Sequence, residues 1–266
     1  MSWAVILGAS AGTGAAAAEA LARDAGLDIW GAHRGNHPDG AAEVARAVTS
    51  HGRRVALHVG DVGTIEGVQA GVDALAEAMG TDKVTMLVHS LASASIGRFT
   101  TGDDPLVPRQ VHKTFDVMAH SFLFWTQALV ARDLLAPNAR ILALTNPLDE
   151  SLIADCALIA ATKGALESYV KSLAMELGPR GHRVNLLKFS TVVTPAMRKV
   201  YGDDALAHIE RVHQKMLPAG RMCTTPEVGR VIAWLASEEA DFFNGATIDF
   251  SGGMTLGLAE LLLGRG

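Results

Sequence analysis

The sequence predicts a single-domain α/β fold, a doubly wound and mainly parallel sheet with helices on both faces. Three observations lead there. Short apolar runs alternate with longer helical patterns along the whole chain. A glycine-rich turn separates the first apolar run from the first helix. No linker, internal repeat or low-complexity stretch divides the 266 residues, so 1–266 reads as one domain. Repeated strand–helix–strand units favour parallel pairing with helices covering both sheet faces.

Ala4–Leu7 reads as the first strand and Gly14–Asp24, rich in alanine, as the first helix. Asp28–Ala32 and Arg54–His58 are the next strands, followed by helices over Ala41–His51 and Ile65–Met79 respectively. Val84–His89 is a fourth strand, Pro108–Leu134 a long amphipathic helix and Ala139–Thr145 a fifth strand. Cys156–Leu177 is helical and Arg183–Phe189 is the sixth strand. Helices over Asp203–Lys215 and Pro226–Ala236 precede a last strand, Ala246–Phe250. Residues 190–220 form the least regular segment, the natural place for a substrate lid, with a structured connection as the alternative.

Hydrophobic residues make up 49% of the chain and charged residues 19%, a globular composition. A formal net charge of −5 argues against a nucleic-acid partner, which needs a basic stripe. Two cysteines suit a reducing compartment. The N-terminus lacks a secretory pattern and no apolar run is long enough for a bilayer, so a soluble cytoplasmic protein is expected. The ten histidines offer no metal-ligand spacing with a third ligand, and no metal site is expected. The short apolar tail LGLAELLLG is expected to pack on the body or on a neighbouring subunit.

The stretch VILGASAGTGAAAA sets Gly8, Gly12 and Gly14, with Ser10 and Thr13 between them, after a strand and at the start of a helix. Bare backbone there lets N–H groups approach a pyrophosphate, and the helix N-terminus adds partial positive charge. The expectation is a Rossmann fold that binds a nicotinamide dinucleotide. At the end of the second strand an acid would hold a ribose 2′-hydroxyl, and a cation a 2′-phosphate. The chain reads Gly31-Ala32-His33-Arg34-Gly35. Arg34 therefore favours NADP over NAD, with a solvated loop cation as the alternative. Asp61 and Val62 after the third strand are placed to cap the adenine, though Asp61 suits a helix N-cap equally well.

In this order the residues resemble the short-chain dehydrogenase/reductase family over nearly the whole chain. LVHSLASA stands at the family's Asn-Asn-Ala-Gly strand end, which implies cofactor contacts from Ser90, Leu91 and Ala92. FDVMAHSFLFWTQA, ATKGALESYVKSLAMELGPRGHRVN and RMCTTPEVGRVIAWLASEEADFFNGATIDFSGG match the segments that follow. Val88-His89-Ser90-Leu91-Ala92 and MELGPRGHRVN are most similar to the enoyl-thioester reductases of fatty-acid synthesis. The resemblance makes Lys163 the lysine that holds the nicotinamide ribose and puts positive charge near a developing oxyanion; a surface lysine is the bland alternative. It also implies a cofactor contact from Thr194 and a backbone bond from Val192 to the nicotinamide amide. Thr194 suits a helix N-cap before Pro195 as well. A homodimer or homotetramer built on the long helices is implied too.

The chain departs from the family where chemistry is done. The tyrosine four residues before the lysine is Ile159, and the enoyl reductases' tyrosine, seven before, is Cys156. Both offsets return to the face of Lys163. Asn146 stands for the serine after the fifth strand, Met118 for the helix asparagine, and Phe189-Ser190 for Pro-Gly. Cys156 is an acid, a nucleophile or an inert core thiol; His120 is a candidate replacement acid, though a lone helix histidine is more often structural. Tyr169 falls on a packing face and Tyr201 in the lid. Ketone reduction needs a proton for the alkoxide. Enoyl-thioester reduction needs only stabilisation of an enolate, which Lys163, Asn146 or a water can supply. The leading expectation is an NADP- or NAD-dependent reductase of an α,β-unsaturated acyl thioester, free or carrier-bound. Its rivals are a carbonyl reductase with an unusual acid and a cofactor-binding pseudoenzyme.

Overall fold

The computed structural model describes residues 2–147 and 153–256. Seven strands form one sheet: β1 (Ser2–Leu7), β2 (Asp28–His33), β3 (Val55–Val59), β4 (Lys83–His89), β5 (Leu135–Thr145), β6 (Arg183–Phe189) and β7 (Thr247–Phe250). Their order is β3-β2-β1-β4-β5-β6-β7, and every pair is parallel. The order reverses between β1 and β4, whose ends lie level, Leu7 opposite His89. In such sheets the crevice beyond that reversal is where ligands bind.

Helices α1 (Gly12–Asp24), α2 (Pro38–Ser50) and α8 (Thr225–Leu235) cover one face. There Ala17, Leu21, Val44, Val48, Val228 and Ile232 pack on Ile6, Ile29 and Val88. Gly229 lets α8 approach α1 closely, since a Cβ there would stand 2.6 Å from the Ala16 carbonyl oxygen. The other face carries α3 (Ile65–Met79), α4 (Pro108–Phe115), α5 (Ser121–Ala131) and α6 (Ala157–Leu177). Val68, Val72, Phe122, Trp125, Leu166 and Val170 there pack on Val5, Leu7, Leu87 and Ile141. The two faces hold separate apolar cores on either side of the sheet, so the inner strands β1, β2, β4, β5 and β6 are buried over most of their length, while the edge strands β3 and β7 are partly exposed.

Three expectations are corrected. The single helix expected over 108–134 is broken by a π-helical turn at Asp116–His120. One wider turn there redirects the carbonyls. Ser121 Oγ donates to the Val117 carbonyl, and His89 Nε2 lies 2.8 Å from the same hydroxyl. Strand β5 starts four residues early, at Leu135. Pro137 and Asn138, the latter at φ 58°, read as a turn, but the register shift between Val84 and Met86 absorbs them as a bulge. Residues 190–220 are mostly helical: α7 spans Pro195–Met216, with a non-helical Gly202 at φ 74°. The Tyr201 side chain and the tail beyond residue 256 lie outside the described residues.

Candidate functional site

At the switch point an open cleft runs across the strand ends. Gly8, Ser10, Gly12, Thr13, Arg34, Asp61, Val62, Ser90, Leu91, Ala92 and Thr194 all line it. The glycine turn sits at its centre. A Cβ on Gly8, at φ 93°, would stand 2.6 Å from the Ser90 carbonyl oxygen, so glycine is what allows β1 and β4 to end side by side. Thr13 Oγ1 and Ser90 Oγ are 2.9 Å apart, and Ser90 N–H donates to the Leu7 carbonyl. Gly14 does not line the cleft. Its Cβ would lie 2.0 Å from the Gly8 carbonyl oxygen, so it sets the packing of helix on turn instead.

The start of α1 suits an anion. Ala11 at the N-cap has no side chain that can accept, and the first turn holds no acid. The opening N–H groups of a helix have no partner inside it. Here they face the cleft, where a diphosphate would satisfy them and meet the positive end of the helix dipole. The residues present therefore fit a dinucleotide. Beyond the tip of β2, His33, Arg34, Asn36 and His37 form the cleft wall. Arg34 is exposed, and no hydrogen bond or ion pair engages it among the described residues. Asp61 is not the N-cap of α3. Thr64 is, accepting from Gly67 N–H, while Asp61 Oδ1 accepts from Gly63 N–H. Thr194 lines the cleft beside Gly12, and it also caps α7 by accepting from Met197 N–H at 3.2 Å.

The catalytic candidates lie under the ends of β4 and β5. Lys163 is buried at 7% exposure and its Nζ donates to the Leu144 carbonyl at 2.9 Å. Its charge reaches the tip of β4: burial first and then Lys163 push the buried His89 ring down to about 3, leaving it neutral. The surface-lysine alternative is thus overturned. Asn146 follows β5 directly, and its Oδ1 is buried without a hydrogen-bond partner among the described residues. Cys156 is buried at the start of α6. None of these three, nor Val192, is among the residues lining the cleft described above; Val192 is buried against the core of α1 and α8.

His120 takes the structural role rather than that of a replacement acid. Its Nδ1 lies 2.9 Å from Tyr169 Oη, and its ring packs against Phe115, Phe124 and Tyr169. It belongs to the packing of the π turn on α4, α5 and α6. Residues 190–220 are anchored rather than loose. Ser190 Oγ donates to Cys223 Sγ, and His213 Nδ1 donates to the Ile209 carbonyl, leaving Nε2 to accept from Thr191. Sequence reasoning passed over His33 and the buried His89–Ser121 pair. The signal for His33 was its place at the strand tip before Arg34; the pair had none, since sequence does not bring β4 beside α5.

Residues 8–255 match the family model described as enoyl-(acyl carrier protein) reductase. The chain belongs to the short-chain dehydrogenase/reductase family. It is an NAD(P)-dependent oxidoreductase of that type. It is 27% identical to the 1-cyclohexenylcarbonyl-CoA reductase of Streptomyces collinus, over 95% of this chain and 86% of that one. It is 28% identical to the 3-oxoacyl-acyl-carrier-protein reductase of Escherichia coli, over 94% and 96%. A short-chain dehydrogenase of Burkholderia cenocepacia, solved in complex with NADP, superposes with a TM-score of 0.79 at 27% identity, over 96% and 98%. No helix among the described residues is long and apolar enough to cross a membrane.

Proposed function

We propose that this enzyme is an NADP-dependent reductase of α,β-unsaturated acyl thioesters or a related activated alkene. One observation carries the reading: the buried Lys163 follows Ile159 by one turn of α6 and Cys156, the residue that caps α6, by seven residues, the two positions where the family's tyrosine would stand. When bound, the reduced nicotinamide supplies the hydride. The glycine turn and the start of α1 hold the diphosphate, and Arg34 meets the 2′-phosphate. Asp61 and Val62 border the adenine, Ser90 to Ala92 and Thr194 flank the ribose and amide, and the Val192 backbone holds that amide.

An alkoxide would find no hydroxyl acid at Ile159. A thioester enolate needs no proton in the same step, only stabilisation of its oxygen. Lys163 provides the nearby charge and positions the ribose, and Asn146, whose Oδ1 has no partner among the described residues, offers its amide N–H groups to the substrate. Cys156 packs as an inert thiol. The relative named for cyclohexenylcarbonyl-CoA supports C=C reduction, and the relative named for 3-oxoacyl groups supports the carbonyl alternative. Residues 190–220 act as the substrate lid, the enzyme works in the cytoplasm as a homodimer or homotetramer, and the acyl group arrives on coenzyme A or a carrier protein.

The test incubates purified protein with NADPH or NADH and a panel of enoyl thioesters, 3-oxoacyl thioesters and ketones, following loss of reduced-cofactor absorbance. Turnover of enoyl substrates alone, with NADPH preferred, is expected. Lys163→Ala should lose roughly 100-fold or more. Ketone turnover matching the enoyl rate would overturn the reading, and nucleotide binding with no turnover at all would point to the pseudoenzyme.

A further inference from the structure

We propose that the groove between α4 and the start of α3 is a second anion site, which holds a phosphate monoester on a ligand other than the nicotinamide dinucleotide. Asp61 and Thr64 come to it from the turn before α3, Arg109, His112 and Lys113 from α4, and Asp116 and Val117 from the π turn. The groove adjoins the nucleotide cleft and shares only Asp61 and Val117 with it. The glycine turn and Arg34, assigned above to the dinucleotide's phosphates, do not line it. The dinucleotide therefore leaves the cations of α4 unused.

The three basic residues share one helix face, since positions three and four apart bring side chains together. All three are exposed, and no hydrogen bond or ion pair engages their side chains among the described residues. Elsewhere on the surface Arg54, Arg132, Lys171 and Arg221 each hold a carboxylate. The helix itself disfavours the arrangement. Arg109 stands in the first turn of α4, at its positive end, with no acid there to offset it. Lys113 repels it from four residues on. Lys113 finds no helix C-terminus in return, because the backbone stays helical through Asp116. A local rule broken without internal compensation points to a functional surface.

The rest of the groove does not satisfy these donors. Asp61 Oδ1 accepts from Gly63 N–H, and Thr64 Oγ1 donates to the Asp61 carbonyl while accepting from Gly67 N–H. Asp116 lies three residues beyond Lys113, yet no ion pair joins them among the described residues. The floor is tightly packed: a Cβ on Gly63 would stand 2.8 Å from Val117 Cγ2, so the turn before α3 presses on the π turn. With Asp61 and Asp116 nearby, charge alone does not hold the ligand. Directed hydrogen bonds from a guanidinium, an ammonium and an imidazole do, and a phosphate has the oxygens to accept them together. Two sources carry such a group: the ribose 3′-phosphate of a coenzyme A thioester, and a free phosphorylated metabolite. Only the first rests on the thioester reading.

The experiment is calorimetric titration of adenosine 3′,5′-bisphosphate, the headgroup of coenzyme A, into enzyme saturated with NADP⁺ or NAD⁺, whichever binds more tightly, so that the first site is filled. At pH 7.5, where a phosphate monoester is mostly dianionic, the wild type should bind the bisphosphate saturably. The double variant Arg109→Gln/Lys113→Gln should weaken it by about tenfold or more and leave dinucleotide affinity unchanged. Arg46→Gln/Arg53→Gln removes the same charge from elsewhere on the surface and should change neither. No binding to the wild type, or an equal loss in both double variants, overturns the site. Kinetics with an enoyl-coenzyme A and its 3′-dephospho form then separate the sources. A KM about tenfold higher for the dephospho form, in the wild type and not in Arg109→Gln/Lys113→Gln, makes the substrate the source. Equal KM values with bisphosphate binding intact assign the groove to a free phosphorylated ligand. If no enoyl thioester turns over, the titration still decides the site, and the proposed reaction alone fails.

Discussion

Replacing Gly8 by alanine tests whether the glycine turn holds the sheet together at the switch point as well as bordering the nucleotide. Gly8 has φ 93°, and an added Cβ would stand 2.6 Å from the Ser90 carbonyl oxygen and 3.1 Å from its carbon, both backbone atoms that cannot swing aside. The positive φ costs an alanine about 1–2 kcal/mol, and forcing β1 from β4 adds about 1–3 kcal/mol of overpacking. The sum is about 2–5 kcal/mol, and at roughly 2 °C per kcal/mol for a domain of this size the melting temperature should fall by about 4–10 °C. Gly12→Ala is the internal comparison. It has φ 58°, but its Cβ would meet only the Thr194 methyl at 3.2 Å, a side-chain atom that can yield. That variant should lose only about 1–2 kcal/mol of stability while still losing nucleotide affinity. Calorimetric melting with and without saturating NADPH measures both quantities. Equal melting temperatures for wild type and Gly8→Ala, with the nucleotide-induced shift intact, would refute the reasoning.

Ile159→Tyr restores a phenol one helical turn before Lys163 and should create measurable reduction of 3-oxoacyl thioesters; a variant that gains none argues that the missing acid is not what excludes ketones. His89 is pushed down to about 3 and so binds its proton far more readily unfolded than folded. Its contribution is therefore complete above pH 6.5 and drains away as pH falls toward 3, at about 1.4 kcal/mol per pH unit. Urea melts at pH 7.5 and 5.0 should show that slope, and His89→Gln should flatten it. Thr224 caps α8 in a reciprocal box with Glu227, which Arg221 and the Thr224 backbone hold down to about 2. Thr224→Ala should cost about 1 kcal/mol by denaturant titration, without changing nucleotide affinity.

The sheet, its parallel pairing and most of the residues that line its cleft were legible in the residues alone. Periodicity is local, so alternating apolar runs and helices announce themselves within a few residues, as do Gly8 and Gly12 after β1 and Arg34 after β2. Lys163 and the absent tyrosine were visible because both sit on one helix, where an offset of four residues is a statement about a face. The rest depended on pairs far apart in the chain. Gly14 reads like its two neighbours, but only the distance to the Gly8 carbonyl reveals it as a packing glycine. For His120 the residues left acid and structural histidine both open, and only the contact with Tyr169 decided between them. His89 and Ser121 are 32 residues apart and meet only because β4 lies beside the broken helix. Local pattern determines which elements form, whereas the burial, charge and unspent donors of a site arise from the surfaces those elements turn toward one another.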